Sequence, residues 1–217
     1  MTRSPNSYVP AAGKHWRLPF YDLMARLLGA DSARAMLVEQ TGVRPGERVL
    51  EIGCGTGSLL LLLARSQPAA ELVGLDPDPA ALKIARRKAR RAGVSFQLDE
   101  GFADALPYAD ASMDRVFSSF MFHHLSRDVK AKALREGRRV LVPGGHFHMV
   151  DFAGPGSSAR GFIARRIHAD RHLVDNDEER VLASIREAGL VDAEVTGRRA
   201  SHLGSTVYYR ASAPEVV

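Results

Sequence analysis

The stretch that decides the fold is VLEIGCGTG, residues 49–57, in which a short apolar run leads directly into three alternate glycines. A glycine-rich turn between a strand and a helix lets a ligand approach the backbone N–H groups at the start of that helix. The spacing Gly53-x-Gly55-x-Gly57 is one residue shorter than the G-x-G-x-x-G pattern of dinucleotide-binding folds. Because Glu51 stands just before the glycines and a carboxylate repels phosphate, the turn is predicted to face an ammonium group rather than a pyrophosphate.

Composition and charge indicate a globular protein with a mixed surface. The chain has 217 residues, 45% of them hydrophobic and 25% charged, which suits one domain with a sizeable buried core. Its formal net charge is +5, from 30 Lys and Arg residues, 25 Asp and Glu residues and neutral His. The basic run KIARRKARRAG, residues 83–93, is interpreted as a solvated helix face, with nucleic acid or an anionic membrane surface as the alternative partner.

Cysteine content and the absence of long apolar runs favour a cytoplasmic location. Cys54 is the single cysteine and cannot form an intramolecular disulfide, as is common in a reducing compartment. The first twenty residues contain no apolar signal segment, and the longest aliphatic run, residues 59–64, is far too short to span a bilayer. Peripheral contact with a membrane stays open.

Strand-like and helix-like segments alternate along the chain. Strands are predicted at 48–52, 71–76, 94–100, 113–119 and 144–152, and two more at 191–197 and 205–212. Helices are predicted within 21–42 and at 58–65, 77–93, 129–141 and 178–188. This order predicts an α/β fold: a Rossmann-like, doubly wound, seven-stranded sheet, mostly parallel with a C-terminal antiparallel hairpin, and helices on both faces. Ligands in such sheets bind at the carboxyl ends of the strands, where the strand order reverses.

The whole chain, residues 1–217, is interpreted as one domain with four parts. Residues 1–43 form a helical lid, 44–152 the cofactor-binding core, 153–176 an insertion that caps the substrate, and 177–217 a final helix and hairpin.

Over residues 44–152 the sequence resembles the class I S-adenosylmethionine-dependent methyltransferases, whose first motif is E/D-x-G-x-G-x-G. Glu51 and the three glycines match that motif position for position. The resemblance implies S-adenosylmethionine as the cofactor and places Asp76, at the end of the second strand, on the two ribose hydroxyls, because one carboxylate can accept two hydrogen bonds. It also places Asp104 on the adenine amine, with Phe102 or Ala103 near the ring. The other residues expected at the cofactor are Cys54, Thr56, Pro77, Ser118 and Ser119.

Two adjacent histidines after the fourth strand, His123 and His124, are candidates for the base that accepts a substrate proton. The alternative interpretation is that they pack a short helix against the cofactor pocket. Methyl transfer from a sulfonium depends mainly on alignment, so no catalytic triad is required. His168 and His172 have a spacing that suits a metal, but no further ligand pattern completes the set, and no metal is predicted.

Parts of the chain outside the core are expected to select the methyl acceptor. Tyr21 in the N-terminal part, and Phe162, Arg166 and His168 in the segment after the fifth strand, suit a small organic substrate with a polar or anionic group. The chain is similar to small single-domain enzymes related to the ubiquinone/menaquinone C-methyltransferases. The predicted function is methyl transfer to a small molecule by in-line displacement. An NAD(P)-dependent oxidoreductase and a cofactor-binding subunit without methyl transfer are the alternatives.

Overall fold

The computed structural model describes residues 29–154, 176–201 and 204–215. The predicted substrate contacts Tyr21, Phe162, Arg166 and His168 lie outside this part. Within the described part, no helix has the length and apolarity needed to cross a membrane.

Seven strands and five α-helices make up the described chain. In chain order they are α1 (Ala30–Thr41), β1 (Arg48–Ile52), α2 (Ser58–Ser66), β2 (Glu71–Asp76), α3 (Pro79–Ala92), β3 (Gln97–Glu100), β4 (Met113–Ser119), a 3-10 turn (Phe122–His124), α4 (Arg127–Val140), β5 (Leu141–Phe152), α5 (Glu178–Glu187), β6 (Val191–Ser201) and β7 (Gly204–Ser212).

The strands form one sheet in the order β3-β2-β1-β4-β5-β7-β6. Neighbours among β1 to β5 pair in parallel, whereas β7 is antiparallel to both β5 and β6. This confirms the predicted doubly wound sheet with a C-terminal antiparallel hairpin. The strand order reverses between β1 and β4, so the turn after β1 and the turn after β4 lie side by side.

Helices cover both faces of the sheet and bury two apolar clusters. On one face α1, α2 and α3 pack against β1, β4 and the C-terminal strands; on the other face α4 and α5 do so. The first cluster includes Leu37, Leu59, Leu63, Leu82 and Phe117, and the second includes Leu50, Val116, Leu134, Phe147 and Ile185. Each of these large side chains contributes about 1.5–3 kcal/mol by burial, which holds the strand ends in place.

Local sequence signals explain the ends of α3. The Asp78 carboxylate accepts a hydrogen bond from the Ala80 backbone N–H, as predicted for a residue that caps the helix N-terminus. Gly93 ends the helix with φ of 67°, in the left-handed region that glycine adopts without strain. Lys83, Arg86, Arg87, Arg90 and Arg91 are exposed, in agreement with the solvated face predicted from the basic run.

Four strands differ from their predicted bounds: β6 continues to Ser201, four residues past its predicted end, and β7 begins one residue early at Gly204. β3 comprises only Gln97–Glu100, because residues 94–96 do not join the ladder to β2. β5 begins at Leu141, three residues before the predicted start, and continues through the Pro-Gly-Gly sequence. A register shift between Met113 and Arg115 in the pairing of β4 with β5 accommodates that irregular start.

At the end of the sheet away from the glycine turn, a buried arginine anchors α1. Arg115 in β4 donates to both carboxylate oxygens of Glu47, at 2.6 and 3.1 Å, and to the Thr41 and Gly42 carbonyls at 2.7 and 3.4 Å. Its Nη1 also lies 3.4 Å from His148 Nε2. Burial, together with the charge of Arg115, lowers the pKa of His148 to about 3, so this imidazole is neutral and accepts the hydrogen bond.

Candidate active site

The glycine turn is packed against protein on one side and open on the other. A Cβ atom at Gly53 would lie 2.2 Å from Met121 Cγ, so the turn after β4 presses against the turn after β1 there. A Cβ at Gly55 would meet no atom within 4 Å. Both glycines have positive φ, 71° and 51°. The open side at Gly55 is where a ligand can lie against bare backbone.

Glu51 provides a buried carboxylate beside this turn. It is 1% exposed, and its Oε1 accepts a hydrogen bond of 2.8 Å from the Ser119 hydroxyl. Its Oε2 has no hydrogen-bonding partner in residues 29–154, 176–201 and 204–215. Burial raises the pKa of Glu51 to about 8, although the Ser119 hydrogen bond and the charge of Arg34 act against that rise. A buried oxygen without a donor fits a ligand that brings one, such as an ammonium group.

Arg34 is linked to the Glu51 carboxylate through the Ser119 hydroxyl, which lies between the two side chains. Its Nε lies 3.4 Å from Ser119 Oγ, and its guanidinium carbon lies 5.4 Å from the centre of the Phe120 ring. The residue is 9% exposed. Sequence reasoning missed it. The available signal was an arginine between Ala33 and Leu37, on the stripe of α1 that faces the sheet.

Asp76 lies at the end of β2, as predicted, and also fixes the glycine turn. Its Oδ2 accepts from the Gly55 N–H at 2.8 Å and its Oδ1 from the Asp78 N–H at 2.9 Å. Burial raises its pKa. Because a carboxylate oxygen can accept more than one hydrogen bond, both oxygens retain capacity for a ribose diol. The link from Asp76 to Gly55 was not predicted.

The side chains of Cys54 and Thr56 pack into the protein. Cys54 is 5% exposed, and burial raises the pKa of its thiol well above the ordinary value, so the thiol is uncharged. The Thr56 hydroxyl accepts a hydrogen bond from Lys88 Nζ in α3 at 3.1 Å. Any contact of these two residues with a cofactor would therefore come from their backbone.

The segment after β3 brings the predicted adenine contacts near the end of β2. Ala103 and Asp104 are half-buried, and Phe102 is 42% exposed. The Gly101 N–H donates to the Asp76 carbonyl at 3.3 Å, which ties this segment to the residue predicted to bind ribose. Pro77, half-buried, continues from the same strand end.

Ser118 and Ser119 lie at the end of β4 and differ in what they contact. Ser119 binds Glu51 and Arg34 on the face covered by α1. Ser118 is opposite Ile52 in the ladder, and its buried hydroxyl has no hydrogen-bonding partner in the described part of the chain. The structure thus brings the predicted Glu51, Gly55, Asp76 and Ser119 together at the point where the strand order reverses.

His123 forms a close pair with an acid that sequence reasoning missed. Its Nδ1 lies 2.6 Å from Asp151 Oδ1, and its backbone N–H donates to Oδ2 at 3.0 Å. Asp151 is 1% exposed near the end of β5. Burial alone would raise the pKa of Asp151, but the His123 ring and the N–H groups of His123 and Phe152 hold it below its ordinary value. The available signal in the sequence was an acid at the carboxyl end of the predicted fifth strand.

His124 lies against its neighbour, with ring centres 3.9 Å apart. Across the described ranges there is no group of three or more His, Cys, Asp or Glu residues that could hold a metal ion. His146 Nδ1 lies 3.0 Å from the Ser212 hydroxyl oxygen, and His168 and His172, whose spacing suits a metal, fall outside those ranges.

Together these features define a class of protein. The protein has a parallel sheet whose strand order reverses, a glycine turn flanked by a buried acid, and a second acid at the end of the next strand. This combination is typical of α/β enzymes that bind a nucleoside. The Glu51 Oε2 atom, which has no partner within the described residues, favours a ligand with donors over a phosphate. The residues present thus fit S-adenosylmethionine.

Comparisons with known proteins identify the family. A family model described as a methyltransferase domain matches residues 49–145. The demethylmenaquinone methyltransferase of Thermus thermophilus is 41% identical over 150 residues, 68% of this chain and 67% of that protein. The ubiquinone/menaquinone biosynthesis C-methyltransferase of Pseudomonas paraeruginosa is 37% identical over 64% of this chain and 56% of its own length. The chain belongs to the S-adenosylmethionine-dependent methyltransferases.

A solved structure shares the fold. A SAM-dependent methyltransferase from Aquifex aeolicus superposes with a TM-score of 0.71 and 19% sequence identity, over 92% of this chain and 98% of that one. The enzyme class, the cofactor and transfer to a small molecule predicted from the sequence are confirmed. The oxidoreductase and the silent subunit are not favoured.

Proposed function

We propose that the protein transfers the methyl group of S-adenosylmethionine to a ring carbon of a reduced quinone. The observation that carries the proposal is the 41% identity to a demethylmenaquinone methyltransferase over two thirds of each chain. The matched region spans a little over half the length of the Pseudomonas C-methyltransferase, so the acceptor is a proposal for this chain. A cytoplasmic location with peripheral membrane contact is part of the same proposal, because such quinones are lipids.

The proposed cofactor site uses the residues named from the sequence. Glu51 would bind the ammonium group and Asp76 the ribose diol, while Ala103 and Asp104 would contact adenine. The backbone of residues 53–57 would lie against the amino-acid end. Cys54, Thr56 and Pro77 would contribute through backbone or shape, and Ser118 and Ser119 would face the methionine part. When bound, the sulfonium supplies an electrophilic methyl group, and alignment with the acceptor can provide up to roughly 7–11 kcal/mol of barrier reduction.

His123 is proposed as the base for the acceptor. Removing the proton from a hydroquinone hydroxyl raises the electron density at the adjacent ring carbon, which then forms the new carbon–carbon bond as the sulfur–methyl bond breaks. The hydrogen on that ring carbon then leaves as a proton to water, His123 returns its proton to the ring oxygen, and the ring regains its aromaticity. The 2.6 Å contact with Asp151 supports this role, because the carboxylate stabilises an imidazolium and orients the ring. His124 would pack beside His123.

The acceptor would be selected by Tyr21, Phe162, Arg166 and His168, which remain predictions from the sequence. An apolar ring with hydroxyl groups suits a mixed set of aromatic and basic side chains.

The proposal is tested with a short-chain demethylmenaquinone kept reduced by dithionite. Incubation with S-adenosylmethionine carrying a trideuterated methyl group should yield one S-adenosylhomocysteine per C-methylated quinol, both measured by liquid chromatography and mass spectrometry. The oxidised quinone is the matched control and should yield no product, because it has no hydroxyl proton and an electron-poor ring. Methylation of phenols or amines in the same assay, without methylation of the quinol, would overturn the proposal.

A further inference from the structure

We propose that Arg34, which lies in α1 outside the region matched by the family model, is a positioning residue for the cofactor. It holds the Ser119 hydroxyl and, through that hydroxyl, favours the ionised form of Glu51 and fixes its carboxyl group toward the amino-acid end of the ligand. This inference rests on the proposed cofactor site and deepens it.

The direction of the hydrogen bonds supports this role. An arginine guanidinium can only donate, so Arg34 Nε must donate to Ser119 Oγ at 3.4 Å. The Ser119 hydroxyl has one hydrogen, and Glu51 Oε1 lies 2.8 Å away as an acceptor. The three groups therefore form a series of hydrogen bonds in which Arg34 donates to Ser119 and Ser119 donates to Glu51, and each bond polarises the next.

Burial strengthens the electrostatic interactions in this series of hydrogen bonds. Arg34 is 9% exposed, Ser119 6% and Glu51 1%, so water screens the charges weakly. The charged groups that act on Glu51 are Arg34 from α1 and Asp76 from the end of β2, and they act in opposite directions. Arg34 is thus the positive charge that offsets the cost of burying an ionised Glu51. The guanidinium also lies over the Phe120 ring, which restricts its position.

The consequence is that cofactor affinity depends on α1. Without Arg34, Glu51 would hold its proton to higher pH, and a protonated carboxyl cannot attract an ammonium group. Binding needs an ionised Glu51 and a protonated ligand amine, so the affinity of the wild-type protein should rise with pH toward about 8 and stop rising where the ligand amine loses its proton.

The test measures binding of S-adenosylhomocysteine by calorimetry between pH 6.5 and 9. We expect Arg34→Gln to weaken binding about tenfold at pH 7.5 and by much less at pH 9, where Glu51 can ionise without help. Arg34→Lys, which keeps the charge, should recover most of the affinity. Arg198→Gln, at an exposed arginine paired with Glu178, is the matched control and should bind as the wild type does.

A second probe separates positioning from general damage. 5′-Methylthioadenosine lacks the amino-acid end, so its affinity should be the same in wild type and Arg34→Gln. An equal loss for both ligands would overturn the inference, because it would show that the substitution distorts the whole pocket. Unchanged binding of S-adenosylhomocysteine to Arg34→Gln at pH 7.5 would also overturn it.

A double-mutant cycle distinguishes failure of this inference from failure of the proposed site. Glu51→Gln should weaken binding and abolish its pH dependence, and adding Arg34→Gln should cost nothing more. If the two losses multiply, Arg34 does not act through Glu51 and the inference fails alone. If Glu51→Gln binds S-adenosylhomocysteine as the wild type does, the proposed placement of the cofactor fails and the inference fails with it.

Discussion

The imidazole of His123 and the carboxylate of Asp151 are joined at two points. Oδ1 lies 2.6 Å from the ring Nδ1, and Oδ2 accepts the backbone N–H of His123 at 3.0 Å. Because the carboxylate accepts at Nδ1, the neutral ring carries its proton there and keeps Nε2 as an acceptor. The pair connects the strand that ends beside the glycine turn with the next strand along the sheet, and it sets the tautomer that a base requires.

Asp151→Asn should therefore lower kcat by about 10²-fold or more, because the amide cannot stabilise a positively charged ring. Affinity for S-adenosylhomocysteine should stay within about twofold of wild type. Both are measured by steady-state kinetics and calorimetry. Asp110→Asn is the control, since Asp110 is an exposed partner of Arg139. A full kcat in Asp151→Asn would show that His123 has no role as a base.

Substitutions at two glycines of the turn should have different effects. At Gly55 an added methyl group meets no atom, so Gly55→Ala should cost about 1 kcal/mol of stability for its positive φ and yet weaken cofactor binding strongly. At Gly53 the methyl group would collide with Met121, so Gly53→Ala should lose both stability and binding. Urea unfolding and calorimetry measure the two quantities. Wild-type affinity in Gly55→Ala would place the cofactor elsewhere.

Glu51 should make the empty protein less stable at high pH. Its pKa is raised to about 8 in the folded state, so the stability it contributes when protonated is present at low pH and is lost as the pH rises through 8. Glu51→Gln has no titrating group at this position, so the variant does not lose this stability as the pH rises. The melting temperature of the variant relative to wild type should increase by several degrees between pH 6 and pH 9, since 1 kcal/mol shifts it by roughly 2–4 °C in a chain of this size.

Glu179→Gln, an exposed substitution in α5, is the control for this effect and should show no such pH dependence. A constant difference between Glu51→Gln and wild type across the pH range would contradict the raised pKa.

His148 should contribute to acid sensitivity. Its pKa is lowered to about 3 by burial and by Arg115, so the stability that depends on the neutral ring is complete above pH 6.5 and is lost as the pH falls toward 3. His148→Gln keeps an acceptor for Arg115 without a titrating group. Between pH 7 and pH 4.5 its free energy of unfolding should fall by about 2 kcal/mol less than that of wild type.

His146→Gln, at the half-buried neighbour on the same strand, is the comparison for this measurement and should reduce the acid loss by a smaller amount. Equal acid sensitivity of His148→Gln and wild type, measured by urea unfolding, would argue that the ring is charged in the native state.

The sequence predicted what depends on local pattern and missed what depends on topology. The bounds of β1, β2 and β4 and the cap at Asp78 follow from apolar runs and capping chemistry, and the structure reproduces them. Arg34 and Asp151 were missed because each acts through a partner far along the chain, 85 residues from Arg34 to Ser119 and 28 from His123 to Asp151. Such pairs can be seen only once the strand order is known.

The course of α1 shows on which edge of the sheet the described residues begin. The Thr41 carbonyl accepts a hydrogen bond from Arg115 near one end of β4, and Arg34 donates to Ser119 at the other end. Residue 29, at the start of α1, therefore lies beside the glycine turn. The Asn176 carbonyl accepts a hydrogen bond from the Gly154 N–H at 3.0 Å, near the end of β5 and at that same edge. Residues 29, 154 and 176 thus lie at the edge of the sheet that carries the glycine turn and the His123–Asp151 pair, so any residue that follows or precedes them along the chain starts from the edge of the candidate site.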